Sequence, residues 1–435
     1  MNIAIVGFSV EGRATYDYFA RQGGHRLTIC DQDTSLQLPE AVQGILGDAY
    51  LDNLGQFDLV VRSAGIHPRQ ILDKNPDLAG KITSQINIFL EACPTKNIIG
   101  VTGTKGKGTT STLITKMLEA NGQRVFLGGN IGVAPLSFID QIGADDWVVL
   151  ELSSFQLIDT QRSPHIGVCL MVVPEHLNWH ADMEEYLVAK EQLFAHQTAD
   201  DIAIYNAEND NSYRIASAGL GQTVPFMTAP GAAVQNGFIA VEDQQIISVD
   251  DIRLLGKHNW QNVCAAVTTL WLAGFTDPEP LRKVLGEFSG LEHRLEFVRE
   301  YNGIKLFNDS FSSGLLATEA AIDAVPGQKV MIVGGFDRML PLEHFVNFVS
   351  GREDIRTLMI VGQSGPRLIE ALQAAEVSDY TEATDVKTMP EVVQRALSLA
   401  QNGDSIVLSP GFASFDMFKN FEDRGQQFKA TVSAL

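Results

Sequence analysis

Asn97-Ile98-Ile99-Gly100-Val101-Thr102-Gly103-Thr104-Lys105-Gly106-Lys107-Gly108-Thr109-Thr110 is the stretch on which the fold turns. It reads as a buried strand over 97–101, a turn rich in glycine and lysine, and a helix from about 107 to 120. Glycines at 103, 106 and 108 let backbone N–H groups face a cavity without side-chain obstruction, and the helix N-terminus adds partial positive charge. Lys107 has the reach for β- and γ-phosphates, and a hydroxyl beside it can hold Mg2+. Two departures from the general GxxxxGK[ST] pattern are visible. Position 101 is valine, and Gly108 follows the lysine, so Thr109 must supply the hydroxyl. An ordinary glycine turn has no need of two lysines and paired threonines, so Gly103, Thr104, Lys105, Gly106, Lys107, Gly108 and Thr109 are read as a phosphate loop.

Working outward, two further stretches repeat the pattern of a short apolar strand running into glycine. They are Asn2–Val6 before Gly7, and Lys329–Val333 before Gly334-Gly335. Between them strand-like runs alternate with helical patterns, as in βαβ units with parallel sheets. Strands are expected at 2–6, 26–30 and 58–62, with a helix near 12–22, and Pro94-Thr95-Lys96 as a linker. Trp147–Leu152 and Ile166–Val173 are almost continuously apolar, which suits strands covered on both faces. A stretch rich in Gly, Ala and Gln over 216–250 reads as a smaller β region. Further strands are expected near 304–307, 329–333, 357–361 and 405–408. The expectation is an α/β chain of three domains: Rossmann-like at 1–94, a central P-loop-type domain with a small extra β-sheet at 95–290, and Rossmann-like at 291–435.

Length and charge agree with this division. A chain of 435 residues exceeds one ordinary core. With 45% hydrophobic and 20% charged residues it has the profile of a globular protein. The net charge of −21 argues against a general nucleic-acid binder, although a small anion needs only a local cluster of donors. Cys30, Cys93, Cys169 and Cys264 are far apart and form neither a disulfide framework nor a zinc motif. The chain opens directly on a strand, and no apolar run approaches the roughly 18 residues of a membrane span. No membrane association and a cytoplasmic location are therefore expected, with a monomer as the default.

At this point the residues bring a family into view. Gly103-Thr104-Lys105-Gly106-Lys107 resembles the GT(N/K)GK loop of the Mur ligase and folylpolyglutamate synthetase superfamily, and the Lys-Gly-Thr ending is nearer the folate branch. Other stretches resemble the Mur branch: Gly128-Gly129-Asn130-Ile131-Gly132, Glu151-Leu152-Ser153-Ser154-Phe155-Gln156-Leu157 and Gly256-Lys257-His258-Asn259-Trp260-Gln261-Asn262. His293-Arg294-Leu295-Glu296, Asn308-Asp309-Ser310, Leu408-Ser409-Pro410 and Phe418-Lys419-Asn420-Phe421-Glu422-Asp423-Arg424-Gly425 follow in family order over essentially the whole chain. The Glu151–Leu157 and Phe418–Gly425 stretches point to the D-glutamate-adding branch. The resemblance implies an ATP-dependent ligase of peptidoglycan precursor synthesis. ATP would phosphorylate the carboxylate of UDP-N-acetylmuramoyl-L-alanine, and the amine of glutamate would attack the acyl phosphate. Such chemistry needs charge neutralisation more than a covalent enzyme intermediate.

The same resemblance implies roles for residues. Lys107, Glu151, His176 and Lys190 would carry catalysis, with Thr109, Glu151, His176 and a CO2-carbamylated Lys190 holding Mg2+, two ions in all. Read without it, Glu151 could cap a helix or join a buried ion pair, His176 could be structural, and Lys190 on a helix would be a solvated lysine. Asn259 and Asn262, three apart on one helical face, would lie around adenine, and Arg294 and Asp309 would reach the nucleotide from the third domain. In the first domain, Gly7-Phe8-Ser9-Val10-Glu11-Gly12-Arg13 lacks the middle glycine of GxGxxG. Ser9, Val10 and Glu11 would accept the UDP pyrophosphate, Asp31 would contact uracil, and Ser63, Gly65 and Asn130 would complete the UDP-substrate site. A glutamate beside a pyrophosphate is unfavourable unless it points away or Arg13 offsets it.

For the amino acid, Arg338, Ser414, Phe415 and Phe421 fit the family pocket, with Ser313 standing where threonine is usual and Phe311 where lysine is usual. One missing cation in a dicarboxylate site leaves open the same chemistry with another amino acid such as L-glutamate, or with a folate-type acceptor. An NAD-dependent oxidoreductase and a non-catalytic relative are the distant alternatives. The absent GxGxxG opposes the first, and the intact Lys107, Glu151, His176 and Lys190 oppose the second.

Overall fold

The computed structural model describes residues 1–435 except Leu255 and His258, so the histidine of the Gly256–Asn262 motif lies outside the described residues. Its first sheet has β1 (Asn2–Val6), β2 (Arg26–Asp31), β3 (Gln43–Leu46), β4 (Leu59–Arg62) and β5 (Ile82–Ser84), in the order β3-β2-β1-β4-β5. Every pair is parallel. Helix α1 (Val10–Gln22) connects β1 to β2, α2 (Pro68–Lys74) lies between β4 and β5, and α3 (Gln85–Ala92) follows β5.

The second sheet has β6 (Ile98–Thr102), β7 (Val125–Gly129), β8 (Trp147–Glu151), β9 (Ile166–Cys169), β10 (Ile202–Asn206) and β11 (Gln222–Phe226), ordered β11-β10-β9-β6-β8-β7 and again parallel. Strand β6 is buried along its whole length, as its apolar run requires once helices cover both faces. Helices α4 (Lys107–Ala120), α5 (Ser154–Leu157), α6 (Met183–Ala195), α7 (Asp210–Ala216) and α8 (Asn259–Leu272) belong to this part. A small antiparallel sheet of β12 (Ala233–Gln235), β13 (Phe238–Val241) and β14 (Gln244–Ser248) accompanies it.

The C-terminal sheet holds β15 (Glu296–Tyr301), β16 (Ile304–Asn308), β17 (Lys329–Gly334), β18 (Ile355–Val361), β19 (Tyr380–Glu382) and β20 (Ser405–Leu408). Its order is β15-β16-β20-β17-β18-β19, with only β15 antiparallel to its neighbour. The chain separates into two compact units, 1–252 with 258–287, and 253–257 with 288–435.

Two expectations need correction. The strand expected over 166–173 stops at Cys169, because beyond it the chain follows the bend of the glycine loop. Leu170 N donates to Thr102 O, and Thr104 N to Met171 O, in place of a continued ladder. The 216–250 stretch is not one β region. Residues 222–226 pair with β10 as the edge strand of the central sheet, where Pro225 is tolerated, and only 233–248 form the small sheet.

Candidate active site

The phosphate loop leaves β6 and enters α4 at Lys107. Gly106 has φ +87°, and a Cβ there would lie 2.2 Å from Asn262 Oδ1, so glycine is required on both counts. Thr110 Oγ1 meets the same Asn262 oxygen at 3.4 Å, and Asn262 Nδ2 donates to Asn259 Oδ1 at 2.7 Å. The two asparagines thus brace the loop from α8, a packing role that the sequence did not disclose. Lys107 Nζ donates to the carbonyls of Gly103 and Thr104, both at 3.1 Å. Lys105 pairs with Glu175 at 2.7 Å. Thr109 is buried in the first turn of the helix.

Glu151 ends β8 beside Val101 of β6 and is 5% exposed. Its Oε1 accepts from Asn130 Nδ2 at 2.7 Å, and its carbonyl accepts from Asn130 N at 2.8 Å. Asn130 therefore orients a buried carboxylate, a contact that its motif alone does not show. Among the described residues Glu151 joins no ion pair, so a buried ion pair does not account for it, nor does a helix cap. His176 follows Pro174-Glu175 with φ +60°, and its ring lies 4.8 Å from that of Phe155. Burial, helped by Lys107, Lys190 and Lys105 and opposed by Glu175, holds its imidazole below the usual value. It is the neutral form that a metal takes.

Lys190 lies on the inward face of α6 and is 1% exposed, not a solvated helix lysine. Its Nζ donates to Gly103 O at 3.0 Å and Thr102 Oγ1 at 3.4 Å, and stands 4.6 Å from the Tyr186 ring centre. Burial first, and then Lys107, lower its pKa to about 7. Among the described residues no group of three His, Cys, Asp or Glu side chains converges as a metal cage. Glu151, Thr109 and neutral His176 still fit Mg2+, which is commonly held by one or two carboxylates together with phosphate oxygens and water. Lys190 fits as a ligand only if its ammonium is replaced by an oxyanion.

In the first domain the problem of Glu11 is resolved by its partners. Its Oε2 accepts from Ala64 N at 2.7 Å, and its Oε1 from Gln156 Nε2 at 2.8 Å. The carboxylate faces the central domain, while Arg13 lies over the Phe8 ring. Ser9 and Val10 are exposed at the start of α1. Asp31 Oδ2 accepts from Phe8 N at 2.6 Å, joining the end of β2 to the glycine turn. Ser63 Oγ donates to Gly7 O at 2.8 Å, and Gly65 O accepts from Trp179 Nε1 at 3.1 Å.

In the C-terminal unit both arginines of the expected site lie over phenylalanine rings. Arg294 lies 5.5 Å from the Phe311 ring centre, and Arg338 lies 5.7 Å from that of Phe415. Phe311 in turn meets Phe421 edge-on at 5.1 Å. Asp309 is buried, and its Oδ2 accepts from Ser312 Oγ at 2.5 Å and Ser409 Oγ at 2.7 Å, with Leu295 N on Oδ1 at 3.0 Å. Burial pushes its pKa up to about 6. It fixes the backbone next to Arg294. Ser414 is buried and Ser313 exposed. Arg367, missed in the sequence, grips Asp337 with two bonds of 2.8 Å and so holds the Arg338 loop. Arg424, quoted in a motif without a role, bonds Ser310 and the Phe412 carbonyl.

A glycine-and-lysine cradle at a strand end, with a buried acid and a buried lysine behind it, defines a multidomain nucleotide-using enzyme of the phosphate-loop class. Residues 101–270 match the Mur ligase middle domain, and 293–412 match the Mur ligase, glutamate ligase domain. The UDP-N-acetylmuramoylalanine--D-glutamate ligase of Acetivibrio thermocellus is 35% identical, over 100% of this chain and 96% of its own. Its namesake in Clostridium botulinum strain Hall is 34% identical with the same coverage. This chain belongs to the Mur ligase family. The fold is shared with solved structures at lower identity. MurF ligase from Thermotoga maritima in complex with ADP has a TM-score of 0.60 at 16% identity, covering 99% of this chain and 94% of that one. UDP-N-acetylmuramate-alanine ligase MurC from the same organism has 0.58 at 15%, covering 100% and 99%.

Proposed function

We propose that this chain is the ATP-dependent ligase that joins D-glutamate to UDP-N-acetylmuramoyl-L-alanine in peptidoglycan precursor synthesis. The observation that carries the reading is the 35% identity, over the full chain, to a ligase of that name. The UDP-linked acceptor and ATP place the reaction in the cytoplasm, with the chain acting as a monomer. We take 1–94 as the UDP-substrate part, 95–290 as the ATP part and 291–435 as the amino-acid part.

In this reading the acceptor carboxylate attacks the γ-phosphorus of ATP, ADP leaves, and an acyl phosphate forms. The neutral amine of glutamate then attacks its carbonyl carbon, the tetrahedral intermediate loses phosphate, and the amine proton passes to solvent. Backbone N–H groups of Gly103–Thr109, with Lys107, hold the phosphates in line. Bound Mg2+ supplies neutralisation of the phosphate charge. Thr109, Glu151, His176 and Lys190 would hold it, and Asn130 keeps Glu151 in the necessary orientation. Lys190 becomes such a ligand when its neutral Nζ adds to CO2 and releases one proton, giving a carbamate; two metal ions would then be accommodated.

Asn259, Asn262, Arg294 and Asp309 are assigned to the nucleotide, and Ser9, Val10, Glu11, Asp31, Ser63, Gly65 and Asn130 to the UDP-substrate. Ser313, Arg338, Ser414, Phe415 and Phe421 are assigned to glutamate. Phosphate release should be seen with ATP, Mg2+, UDP-N-acetylmuramoyl-L-alanine and D-glutamate, and with no other single amino acid. No release with either glutamate enantiomer would overturn the reading, and release with L-glutamate alone would reverse its handedness.

Phe311 is read as the platform that holds Arg294, since a cation over an exposed ring gains about 0.5–1 kcal/mol. Phe311→Ala should raise the KM for ATP about two- to fivefold, while Phe311→Tyr leaves it unchanged. Steady-state kinetics at saturating co-substrates would check this. Equal values for the alanine variant and the parent would dismiss the platform.

A further inference from the structure

Two loops of different domains meet beside His176. One, over 63–67, follows β4 and leads into α2; the other, over 176–181, leads into α6. Trp179 joins them. Its Nε1 donates to Gly65 O at 3.1 Å. Its ring centroid lies 4.4 Å from that of His67 and 4.5 Å from that of Phe155, and Phe155 lies 4.8 Å from His176. Four rings therefore form a continuous ladder, His67–Trp179–Phe155–His176.

Glu185, in the first turn of α6, fastens the same junction. Its Oε2 accepts from Ala181 N at 2.7 Å and stands 3.4 Å from His67 Nε2 and 3.6 Å from His180 Nδ1, while its Oε1 pairs with Arg69. His180 Nε2 is 2.9 Å from Ser154 Oγ, beside Phe155. None of these groups touches the reacting atoms in the mechanism above. Packed rings have few alternative arrangements, so a shift of the 63–67 loop must be followed by Trp179, Phe155 and His176 or leave a gap.

We propose that Trp179 is a positioning residue that locks the 63–67 loop to the placement of His176, coupling the UDP-linked substrate to magnesium-nucleotide binding. The proposal rests on the reading that Ser63 and Gly65 touch that substrate. Coupling of this kind is reciprocal: whatever orders one loop raises affinity at the other by the same factor.

Calorimetric titration tests it without turnover. The Kd of UDP-N-acetylmuramoyl-L-alanine is measured with and without magnesium and a non-hydrolysable ATP analogue. The parent protein should bind the substrate at least about fivefold more tightly with the nucleotide present. Trp179→Ala should bring that ratio close to one at saturating nucleotide, a readout of the coupling that does not depend on its Kd for the nucleotide alone. Trp179→Phe keeps the ring and removes the N–H to Gly65; it should lie between the two, and it replaces the alanine variant if that one melts early. A parental ratio of one, or a parental ratio retained in both variants, overturns the proposal. A parent that does not bind the UDP-linked substrate at all removes the functional reading instead.

Discussion

Lys190→Ala is expected to lower ligase activity by on the order of 100- to 1,000-fold, the usual loss when one preorganised charge at a reacting centre is removed. Short carboxylic acids added at high concentration should restore part of it. The argument starts from burial. Lys190 is fully enclosed, within reach of Gly103 O, and shares its surroundings with Lys107, so its ammonium is disfavoured and its pKa falls to about 7. A neutral amine is the form that adds to CO2, and addition turns a second cation into an anion at a place where phosphate-bound magnesium needs an oxygen ligand. The pH dependence follows in sign. Below about pH 7 the ammonium predominates and carbamate formation declines, so activity there should rise on addition of bicarbonate more than it does at pH 8. An unmodified Lys190 that only braces Gly103 would also lose activity on truncation, but carboxylic acids could not replace it. Rescue measured by phosphate release, together with a carbamate signal from 13C-labelled bicarbonate, separates the two. No rescue and no signal would leave Lys190 as a structural cation.

The phosphate loop was legible because its information is local. Strand, glycines, lysines and hydroxyls lie within fourteen consecutive residues, 97–110, and the helix over 107–120 follows directly. What was not legible depends on partners far along the chain. Lys190 looks like any helix lysine until α6 is seen to turn it towards β6. The unfavourable charge of Glu11 was visible from Coulomb's law, but its resolution needed Gln156, 145 residues away. Asn130 was assigned to the substrate by its motif, and only the sheet order, which sets β7 beside β8, shows it holding Glu151. Strands such as β3 and β5 were missed because they are short and only partly apolar. Trp179 and Arg367 gave no pattern at all, since a hydrogen bond to another loop leaves no periodicity.

Arg62 is the extreme case, and replacing it should have the largest effect on stability. It closes the apolar run Leu59-Val60-Val61, where an arginine reads as the exposed end of a strand, yet it is 1% exposed. Its Nε and one Nη take both oxygens of Asp159 at 2.7 and 2.5 Å, and it also donates to Phe155 O at 2.9 Å and Ile66 O at 3.1 Å. One guanidinium thereby ties the first domain to the central one, alongside the Glu11–Gln156 and Trp179–Gly65 bonds, and also holds the loop carrying Ser63 and Gly65. Arg62→Ala leaves a carboxylate and several carbonyls without their donor, and loss of one partner of a buried pair costs about 3–5 kcal/mol. Denaturant titrations of Arg62→Ala, Asp159→Ala and the double variant should show the double variant well short of the sum, because each single change already spends the shared interaction. Simple additivity, or a loss below about 1 kcal/mol in Arg62→Ala, would mean that the other contacts between the domains hold without this ion pair. Under conditions where the variant stays folded, the KM for the UDP-linked substrate should rise more than that for ATP, because Arg62 orders the 63–66 carbonyls directly and reaches the nucleotide side only through Phe155.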